Sequence, residues 1–358
     1  MQRNLKVCVI NPNYYRSSGV TVVIKRLFEG SAKLNIDWHF ITCDLGNKLE
    51  TEFPAWLNSE KLLHLKILSN NPLLAILNLC KLLVFLESNN IDIVHVHHRR
   101  VAITIGWLLY LLNIPLIYTA HLTYGKSSIF KYTPIKRYLA ISQSVKENII
   151  ATVGNKGIDM VYNPAPFEES PINIDKSRQN KVCCIARLEE VKNHIYLIES
   201  WKKAFGDRKD VTLTLIGEGS LKNKLLDTIK NLNLENSVFI KKYTSAIREE
   251  ILSSSFMVLT SKVEGLPLVV LEAAGLGVPT LLTDADGSRD CVPPESILPN
   301  KISLEDSTAY SNALTDWMSN FNSIKLEGLR FHSYWKDRAS PNAFATHHQK
   351  IYLENARR

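Results

Sequence analysis

The sequence lacks the cysteine patterns of a disulfide framework or a zinc site. Its six cysteines, in 358 residues, include no Cys-x-x-Cys pair and no other spacing typical of metal ligands. Three of them lie in apolar runs that are typical of strands. We therefore expect reduced structural thiols in a cytoplasmic protein.

A secretory leader and an uninterrupted membrane span are also missing. The first ten residues have no long apolar run and no small-residue cleavage site, and they are typical of an opening strand. Residues 101–120 carry no charge and have transmembrane length, but Asn113, Ile114 and Pro115 interrupt them. A buried helix followed by a central strand accounts for both halves of that stretch. Contact of this helix with a bilayer is the alternative that the sequence leaves open.

Internal repeats and low-complexity segments are absent, so the length indicates two ordinary domains. The two prolines of residues 163–166 (NPAP) and the polar run that follows them are typical of a linker. We expect an amino-terminal domain over residues 1–166 and a carboxyl-terminal domain over residues 167–339.

Negative charge is scarce in the first half of the chain. Residues 1–166 hold 18 Lys and Arg against 10 Asp and Glu, whereas residues 167–358 hold 25 of each. Within residues 93–158, eight basic residues accompany a single acid, Glu147. This excess favours an anionic partner, with a solvated basic face as the alternative. Aromatic residues are not interleaved with these cations, so we expect no nucleic-acid partner.

Strand-like and helix-like segments alternate along the chain, which predicts parallel sheets with crossover helices. The fold class is therefore α/β, with two doubly wound, Rossmann-like domains facing each other across a cleft. Predicted strands cover residues 5–11, 37–43, 92–97, 115–120, 138–141, 159–162, 181–185, 211–216, 237–240, 256–260 and 279–282. Predicted helices cover residues 19–33, 72–89, 100–112, 143–153, 192–205, 219–232, 246–253, 267–276 and 304–321.

The most specific motif covers residues 261–275 (SKVEGLPLVVLEAAG). It follows a predicted strand and opens a predicted helix, with Pro267 in a position favoured in first turns. The backbone N–H groups near Gly265 and the helix dipole would attract a diphosphate. Glu264 before the helix suits sugar hydroxyls, and Glu272 inside it suits a ribose, so the motif fits a nucleoside-diphosphate sugar. A helix with two incidental glutamates is the alternative.

Two other stretches carry matching chemistry. Arg187 follows the predicted strand 181–185, and Lys192 lies at the start of the next helix. These cations would converge at the strand ends, where they would neutralise a diphosphate and the charge that develops on it as a sugar leaves. Gly217 and Gly219 form a turn that lets the backbone pass close to a ligand.

In this order, the motifs resemble those of the retaining glycosyltransferases with the GT-B fold, in the large family numbered four. That family includes many bacterial polysaccharide and lipopolysaccharide transferases. The matching landmarks span nearly the whole chain: Gly19, residues 92–97 (DIVHVH), 118–121 (YTAH), 141–142 (IS), 162–164 (YNP), 187–193 (RLEEVKN), 217–219 (GEG), 261–273 (SKVEGLPLVVLEA) and 277–279 (GVP).

The resemblance implies that the chain moves a sugar from a nucleotide sugar, with a UDP-sugar favoured, to a glycan or lipid-linked acceptor, with retention and without a metal or other cofactor. It implies catalytic roles for His121, Glu264, Arg187 and Lys192. It also implies that a final helix, at about residues 340–358, packs back on the first domain. The donor-binding residues implied are Gly19, Arg187, Lys192, Gly217, Gly219, Lys242, Glu264, Gly265, Leu266, Pro267 and Glu272.

Three positions depart from the family pattern. Ser18 precedes Gly19 where the family often has a glycine pair, Ala186 stands where a glycine usually precedes the arginine, and Lys242 stands where a glycine usually follows strand 237–240. The last departure leaves the identity of the nucleotide open. His95, His97 and His98 are expected to be strand and strand-end residues, not ligands.

Asp284 and Asp286 resemble the metal-binding DxD motif of the other large glycosyltransferase fold. Because Arg187 and Lys192 would supply the same neutralisation, we expect no metal role for them. No well-placed nucleophile is evident, so we favour same-face attack assisted by the departing phosphate.

The sequence leaves open the nature of the acceptor, two alternative functions and the identity of the sugar. A phosphate-bearing, lipid-linked acceptor at the anionic inner face of the cell membrane would explain the basic stretch and the apolar helix 100–112. Two alternative functions are a nucleotide-sugar epimerase and a non-catalytic protein of the same fold. The sugar and the acceptor are not determined by the sequence.

Overall fold

A computed structural model describes residues 4–13, 19–32, 34–44, 61–125, 127–155, 157–206 and 208–357. The chain divides into two compact units. The amino-terminal unit comprises Met1–Pro164 and Pro341–Arg358, and the carboxyl-terminal unit comprises Ala165–Ser340.

The described part of the amino-terminal unit contains one parallel sheet. Its strands are β1 (Leu5–Asn13), β2 (Ile36–Asp44), β3 (Leu62–His64), β4 (Ile93–Val96), β5 (Leu116–Ala120), β6 (Arg137–Ala140) and β7 (Ile158–Met160). Their order is β3-β2-β1-β4-β5-β6-β7, and all the pairings are parallel. The central strands β4 and β5 are buried along their whole length, as expected for strands covered on both faces.

The helices that cross between these strands are α1 (Gly19–Gly30), α2 (Pro72–Ser88), α3 (Arg99–Leu111), α4 (Ser128–Tyr132) and α5 (Gln143–Val153). Polar caps fix where several of them begin. The side chain of Asn71 accepts bonds from the first amides of α2, and Ser142 accepts the amide of Val145 at the start of α5.

The carboxyl-terminal unit contains a second parallel sheet. Its strands are β8 (Lys181–Ile185), β9 (Thr212–Ile216), β10 (Val238–Lys241), β11 (Phe256–Leu259) and β12 (Thr280–Leu282), in the order β10-β9-β8-β11-β12. Both sheets therefore have the doubly wound arrangement in which the strand order reverses beside the first strand. The point of reversal lies between β1 and β4 in one unit and between β8 and β11 in the other. Ligands of such sheets bind beyond the carboxyl ends of the strands at this point.

The helices of the carboxyl-terminal unit are α6 (His194–Phe205), α7 (Lys222–Asn231), α8 (Ile247–Leu252), α9 (Leu268–Leu276), α10 (Ser307–Ser319) and α11 (Phe321–Ala339). The last helix, α11, crosses close to the end of α9. A Cβ on Gly328 would lie 2.0 Å from the carbonyl oxygen of Gly277, so only glycine allows this approach.

The final helix, α12 (Pro341–Asn355), packs against the amino-terminal unit. A Cβ added to Gly30 of α1 would lie 2.8 Å from the carbonyl oxygen of Pro341, which indicates a close helix–helix contact. The ring of Tyr352 meets that of Trp38 edge to face, with centroids 5.9 Å apart. The apolar residues of this helix thus complete a core to which β2 also contributes.

Several elements differ from those that the sequence predicts. Strand β3, helix α4 and helix α11 were not predicted: the first two are too short to show a period, and α11 is interrupted in pattern by Gly328. Helix α6 begins at His194, not at 192, because Asn193 adopts a left-handed conformation with φ 57° after a short 3-10 turn. Pro267 caps α9 and does not belong to its first turn.

Candidate active site

Three loops meet at the carboxyl ends of neighbouring strands β8, β9 and β11. The amide of Leu188 donates to the carbonyl of Glu218 over 2.8 Å, which joins the loops after β8 and β9. The amide of Lys262 donates to the carbonyl of Val191, also over 2.8 Å, which joins the loops after β8 and β11. The residues of all three motifs are therefore anchored on one edge of the sheet, at the point where the strand order reverses.

A buried ion pair lies where the β8 and β11 loops meet. The Nζ of Lys192 contacts Oε1 of Glu264, and the side chains are only 17% and 10% exposed. The hydroxyl of Ser261 donates to the same carboxylate oxygen over 2.6 Å. A cation, a carboxylate and a hydroxyl from two loops thus form one polar cluster in a largely desolvated setting, where charge interactions are strong.

The backbone around Lys192 explains why its side chain reaches this cluster. Lys192 ends a 3-10 turn (Glu190–Lys192), and the left-handed Asn193 then redirects the chain into α6. The carbonyls of Lys192 and Asn193 accept the hydroxyl of Thr260 at 3.3 and 3.2 Å. Next to them, burial and the neighbouring Lys192 lower the pKa of His194 to about 4.

The two glycines after β9 are required by the protein itself. A Cβ on Gly217 would lie 2.0 Å from the carbonyl oxygen of Ala186, and one on Gly219 would lie 2.4 Å from that of Leu188. The sequence suggested that these glycines make room for a ligand. In the structure, the room that a Cβ would need is taken by the backbone of the β8 loop.

The remaining donor-binding candidates of this unit are arranged around the cluster. Arg187 is exposed directly beyond the buried end of β8, and Glu272 is half-buried, about a turn and a half inside α9. Lys242 is exposed after β10, which lies two strands away from β8 at the edge of the sheet. Of these candidates, Lys192 and Glu264 are in direct contact with each other.

The amino terminus of α9 lies beside the same loop. Pro267 is the N-cap, with φ −67° and ψ 117°, and its carbonyl accepts the amide of Val270 over 3.1 Å. The amides of Leu268 and Val269 precede the first bonds of the helix and have no acceptor within it by its geometry. Leu266 and Gly265, which precede it, are buried. A Cβ on Gly287, where φ is 67°, would lie 2.0 Å from the carbonyl oxygen of Gly265. The loop after β12 therefore packs directly against the backbone of the turn before α9.

The aspartates of the DxD-like motif face an arginine. The Nε of Arg289 lies 3.0 Å from Oδ1 of Asp284, and its Nη2 lies 3.7 Å from Oδ1 of Asp286. Among the described residues, no group of three or more His, Cys, Asp or Glu side chains is arranged to hold a metal ion.

In the amino-terminal unit, His121 belongs to a cluster of histidines. His121 directly follows β5, is 9% exposed, and places its Nε2 2.9 Å from Nδ1 of His97, which directly follows β4. The two rings lie edge to edge, with centroids 5.2 Å apart and an interplanar angle of 25°. His97 thus lies at the end of a strand and contacts a candidate catalytic residue.

The histidine cluster also includes His95 and His348. His95 Nδ1 lies 2.7 Å from the hydroxyl of Tyr352, and its Nε2 lies 2.7 Å from Oγ1 of Thr119. His348 of α12 stacks beside His95 with centroids 5.6 Å apart. Burial lowers the pKa of all four histidines, to about 4 for His121 and His348, so the rings are neutral at pH 7.

The first loop of the chain lies largely outside the described residues. Gly19 is the exposed first residue of α1, whereas Ser18 and the residues just before it are not described. Lys126, one of the cations of the basic stretch, also lies outside the described part.

The sequence motifs contained signals for some residues that were missed. Ser261 stands three positions before Glu264, a spacing that lets the two side chains meet across a turn. The alternation of His95 and His97 placed them on one face, but His348 and Tyr352, which contact His95, come from a helix more than 250 positions away in the chain.

Large apolar side chains are exposed on two helices of the amino-terminal unit. On α3 they are Trp107, Tyr110 and Leu111, and on α2 they are Leu73, Leu74, Ile76, Leu77 and Val84. Within the described residues, no helix has the length and apolar character needed to cross a bilayer.

Comparison with known proteins covers both units. Residues 17–169 match the family described as Glycosyltransferase Family 4, and residues 167–325 match Glycosyl transferases group 1. The solved structure of HepE from Anabaena in complex with UDP superposes with a TM-score of 0.81 at 15% identity, covering 98% of this chain and all of that one.

Two curated relatives share parts of the sequence. The amylovoran biosynthesis glycosyltransferase AmsD of Erwinia amylovora is 29% identical over 53% of this chain and 55% of its own length. An Escherichia coli UDP-Gal:alpha-D-GlcNAc-diphosphoundecaprenol alpha-1,3-galactosyltransferase is 24% identical over 66% of this chain and 69% of its own length. The chain spans about half or less of the length of the first curated relatives that it matches. With its doubly wound sheets and its family matches over both halves, the chain belongs to the glycosyltransferases of the GT-B fold, family four.

Proposed function

We propose that this protein transfers a sugar from a UDP-sugar to a glycan or lipid-linked acceptor in bacterial surface polysaccharide synthesis, with retention and without a metal. The observation that carries the proposal is the pair of Lys192 and Glu264. In a nucleotide sugar a single oxygen separates the sugar ring from the diphosphate. A cation for the phosphate and a carboxylate for the sugar hydroxyls must therefore be neighbours, as these two are.

The surroundings of the pair support a donor site. The first turn of α9 offers amides and a positive dipole end for phosphate oxygens, and Arg187 adds a second cation beyond β8. We propose that Glu272 holds the ribose, that Gly265 and Leu266 present their backbone to the diphosphate, and that Gly19 and Lys242 flank it. UDP is favoured because HepE binds UDP and the Escherichia coli relative is named for UDP-Gal.

Neutralisation by protein cations is the basis for a metal-independent reaction. Lys192, Arg187 and the amino terminus of α9 would together offset the charge of the departing diphosphate. Asp284 and Asp286, which resemble a metal-binding motif, both face the guanidinium group of Arg289.

For retention we propose attack from the face on which the donor phosphate leaves. The acceptor oxygen bonds to the anomeric carbon as the bond from that carbon to the phosphate oxygen breaks, and the acceptor proton passes to the phosphate. Glu264 is poorly suited as a nucleophile, because its Oε1 is engaged by both Lys192 and Ser261. A trapped glycosyl-enzyme adduct would overturn this mechanism.

We place the acceptor on the amino-terminal unit, where His121 would contact the transferred sugar. The Escherichia coli relative is named for an acceptor linked to diphosphoundecaprenol, which is a lipid. Exposed leucines on α2 and exposed aromatics on α3 could enter the interface of a bilayer. Residues 61–86, which include most of α2, contain three lysines and no carboxylate, and Glu87 is the one acidic residue of the helix; this excess of positive charge favours contact with anionic lipid.

A thermal-shift screen with UDP-, GDP-, dTDP- and ADP-sugars tests the donor site. One UDP-sugar should raise the melting temperature in a concentration-dependent way. Arg187→Ala and Lys192→Ala should each abolish the shift, whereas Lys222→Ala, an exposed lysine of α7, should preserve it. An unchanged shift in the Lys192 variant would show that the diphosphate binds elsewhere.

Product analysis separates the two alternative functions. An epimerase would convert the sugar of the bound donor without an acceptor, and a non-catalytic protein would bind the donor without turnover. We expect an acceptor-dependent release of UDP and a product whose new linkage keeps the anomeric configuration of the donor.

A further inference from the structure

His97 and His121 share one hydrogen between two nitrogens that face each other. The atoms involved are Nδ1 of His97 and Nε2 of His121, at 2.9 Å. Both rings are neutral at pH 7 because burial lowers both pKa values. Each neutral ring has one N–H and one lone pair, so exactly one of the two facing nitrogens carries the hydrogen.

This constraint couples the tautomers of the two rings. If His97 is protonated on Nδ1, then His121 accepts on Nε2 and carries its own hydrogen on Nδ1. If instead His121 is protonated on Nε2, then His97 carries its hydrogen on its Nε2. The two alternatives differ in what His121 offers on its other nitrogen: an N–H donor in the first and a lone pair in the second.

The surroundings of His97 favour the first alternative. Its Nε2 is buried and has no hydrogen-bond partner among the described residues. The second alternative would leave a buried N–H without an acceptor, whereas the first leaves only a lone pair there. Unpaired buried N–H groups are rarer in proteins than incompletely satisfied acceptors.

Neighbouring rings hold His97 in place. Its ring lies 4.3 Å, centroid to centroid, from that of His95. His95 is itself fixed on both nitrogens by Thr119 and Tyr352. The ring of His97 is packed by His95 on one face and hydrogen-bonded at its edge to His121, so it has little freedom to flip its nitrogens.

We propose that His97 is a positioning residue that holds His121 as its Nδ1–H tautomer, so that His121 presents an N–H donor to a hydroxyl oxygen of the transferred sugar. The sugar contact rests on the proposed function; the tautomer does not. His97 itself touches no substrate.

Nitrogen NMR of histidine-labelled protein without ligand tests the tautomer directly. The His121 signals are assigned from their loss in His121→Ala. We expect a protonated Nδ1 and an unprotonated Nε2 for His121 in the wild type. In His97→Asn the side-chain amide can donate from nearly the same point, so the tautomer should persist. In His97→Leu the donor is gone, and His121 should move towards the Nε2–H form. A protonated Nε2 in the wild type would refute the proposal.

Steady-state kinetics with the donor found in the screen test the consequence. His97→Leu should lower kcat about tenfold, the effect of about one lost hydrogen bond, with a smaller change in the donor KM. His97→Asn should recover activity to within about threefold of the wild type. His347→Asn, at an exposed histidine of α12, should change nothing.

A double-mutant cycle then shows whether His97 acts through His121. In a His121→Ala background, His97→Leu should cause no further loss of kcat. Independent, multiplicative losses would overturn the proposal, as would an Asn variant as impaired as the Leu variant while its melting temperature is unchanged. If His121→Ala itself keeps full activity while NMR shows the Nδ1–H tautomer, the sugar contact fails and the positioning role of His97 stands.

Discussion

Lys192 and Glu264, which are 72 positions apart in the chain, form an ion pair across the point where the carboxyl-terminal sheet reverses its strand order. Each comes from a loop at the carboxyl end of one of two adjacent strands, β8 and β11. The pair therefore links the two loops that the fold places around a ligand. In the proposed donor complex, the diphosphate competes with Glu264 for the ammonium group of Lys192.

Removal of one partner should destabilise the carboxyl-terminal unit. Lys192→Met leaves the carboxylate of Glu264 largely buried without its cation. We expect a loss of about 2–3 kcal/mol in the free energy of unfolding, below the roughly 3–5 kcal/mol typical of full burial because both side chains keep some exposure. Urea unfolding measures this value.

The same two loops supply a control for this prediction. Lys262 and Glu190 form an ion pair at 2.8 Å between them, but their side chains are 44% and 69% exposed. Lys262→Met should therefore cost much less free energy of unfolding than Lys192→Met. The double variant Lys192→Met/Glu264→Gln should recover most of the stability lost in the single one. Equal costs for Lys192→Met and Lys262→Met would contradict the importance of burial.

An added methyl group at Gly217 should disturb the junction of the β8 and β9 loops. Its Cβ would overlap the backbone oxygen of Ala186, which cannot turn away as a side chain can. We expect Gly217→Ala to cost about 1–3 kcal/mol and to weaken donor binding together with stability. Gly125→Ala is the control, because nothing lies within 4 Å of its Cβ position. An equally stable Gly217→Ala protein would show that the loops separate easily.

Stability should fall as the pH is lowered from about 6.5 towards 4. Burial lowers the pKa values of His121, His194 and His348 to about 4 in the folded protein, below the value of about 6.5 expected in the unfolded chain. In this window the unfolded state binds more protons, so each histidine contributes a slope of about 1.4 kcal/mol per pH unit. Above this pH window the histidine rings are neutral in both the folded and the unfolded state, so they no longer make stability depend on pH.

Carboxylates titrate in the lower part of the same pH range. A single replacement separates their effect on stability from that of a buried histidine. His194→Leu removes one buried ring with no hydrogen-bond partner among the described residues. Its stability should depend less steeply on pH, by about one proton, in unfolding measurements between pH 4.5 and 6.5. His347→Asn, at an exposed position, should keep the wild-type slope; the same slope in His194→Leu would argue against a neutral, buried His194.

A fluorescent dye attached to a native cysteine can test whether α2 contacts lipid. Cys80 of α2 is exposed, whereas Cys8, Cys183, Cys184 and Cys291 are buried. With Cys43 replaced by serine, a polarity-sensitive dye on Cys80 should shift its emission to the blue on vesicles that contain phosphatidylglycerol, and less so on phosphatidylcholine alone.

Charge on the exposed face of α2 should abolish that shift. Leu73→Glu/Leu77→Glu removes two apolar contacts and adds repulsion, so vesicle binding should fall by at least about tenfold. Leu226→Glu, at an exposed leucine of α7 in the other unit, is the matched control and should bind normally. Binding by the double variant at the wild-type level would exclude α2 as the lipid-contacting surface.

Sequence patterns predicted most of the strands, since apolar runs such as Phe256–Leu259 have to be buried wherever they lie. They did not predict α11, whose buried residues are spaced among polar ones and which contains Gly328. They identified Lys192 and Glu264 as candidates from motif order, but not their contact. They assigned Gly217 and Gly219 to a ligand, whereas the backbone of the β8 loop occupies the space beside them.

The sequence alone determined most of the elements and their order, because hydrophobic period, turn residues and caps act between near neighbours in the chain. Tertiary structure alone decided which distant side chains meet. Lys192 reaches Glu264, and His97 reaches His121, only because parallel strands bring their carboxyl ends to one edge of a sheet. The lowered pKa values of His97 and His121 then follow from burial, which is a property of the packed unit and not of any local segment.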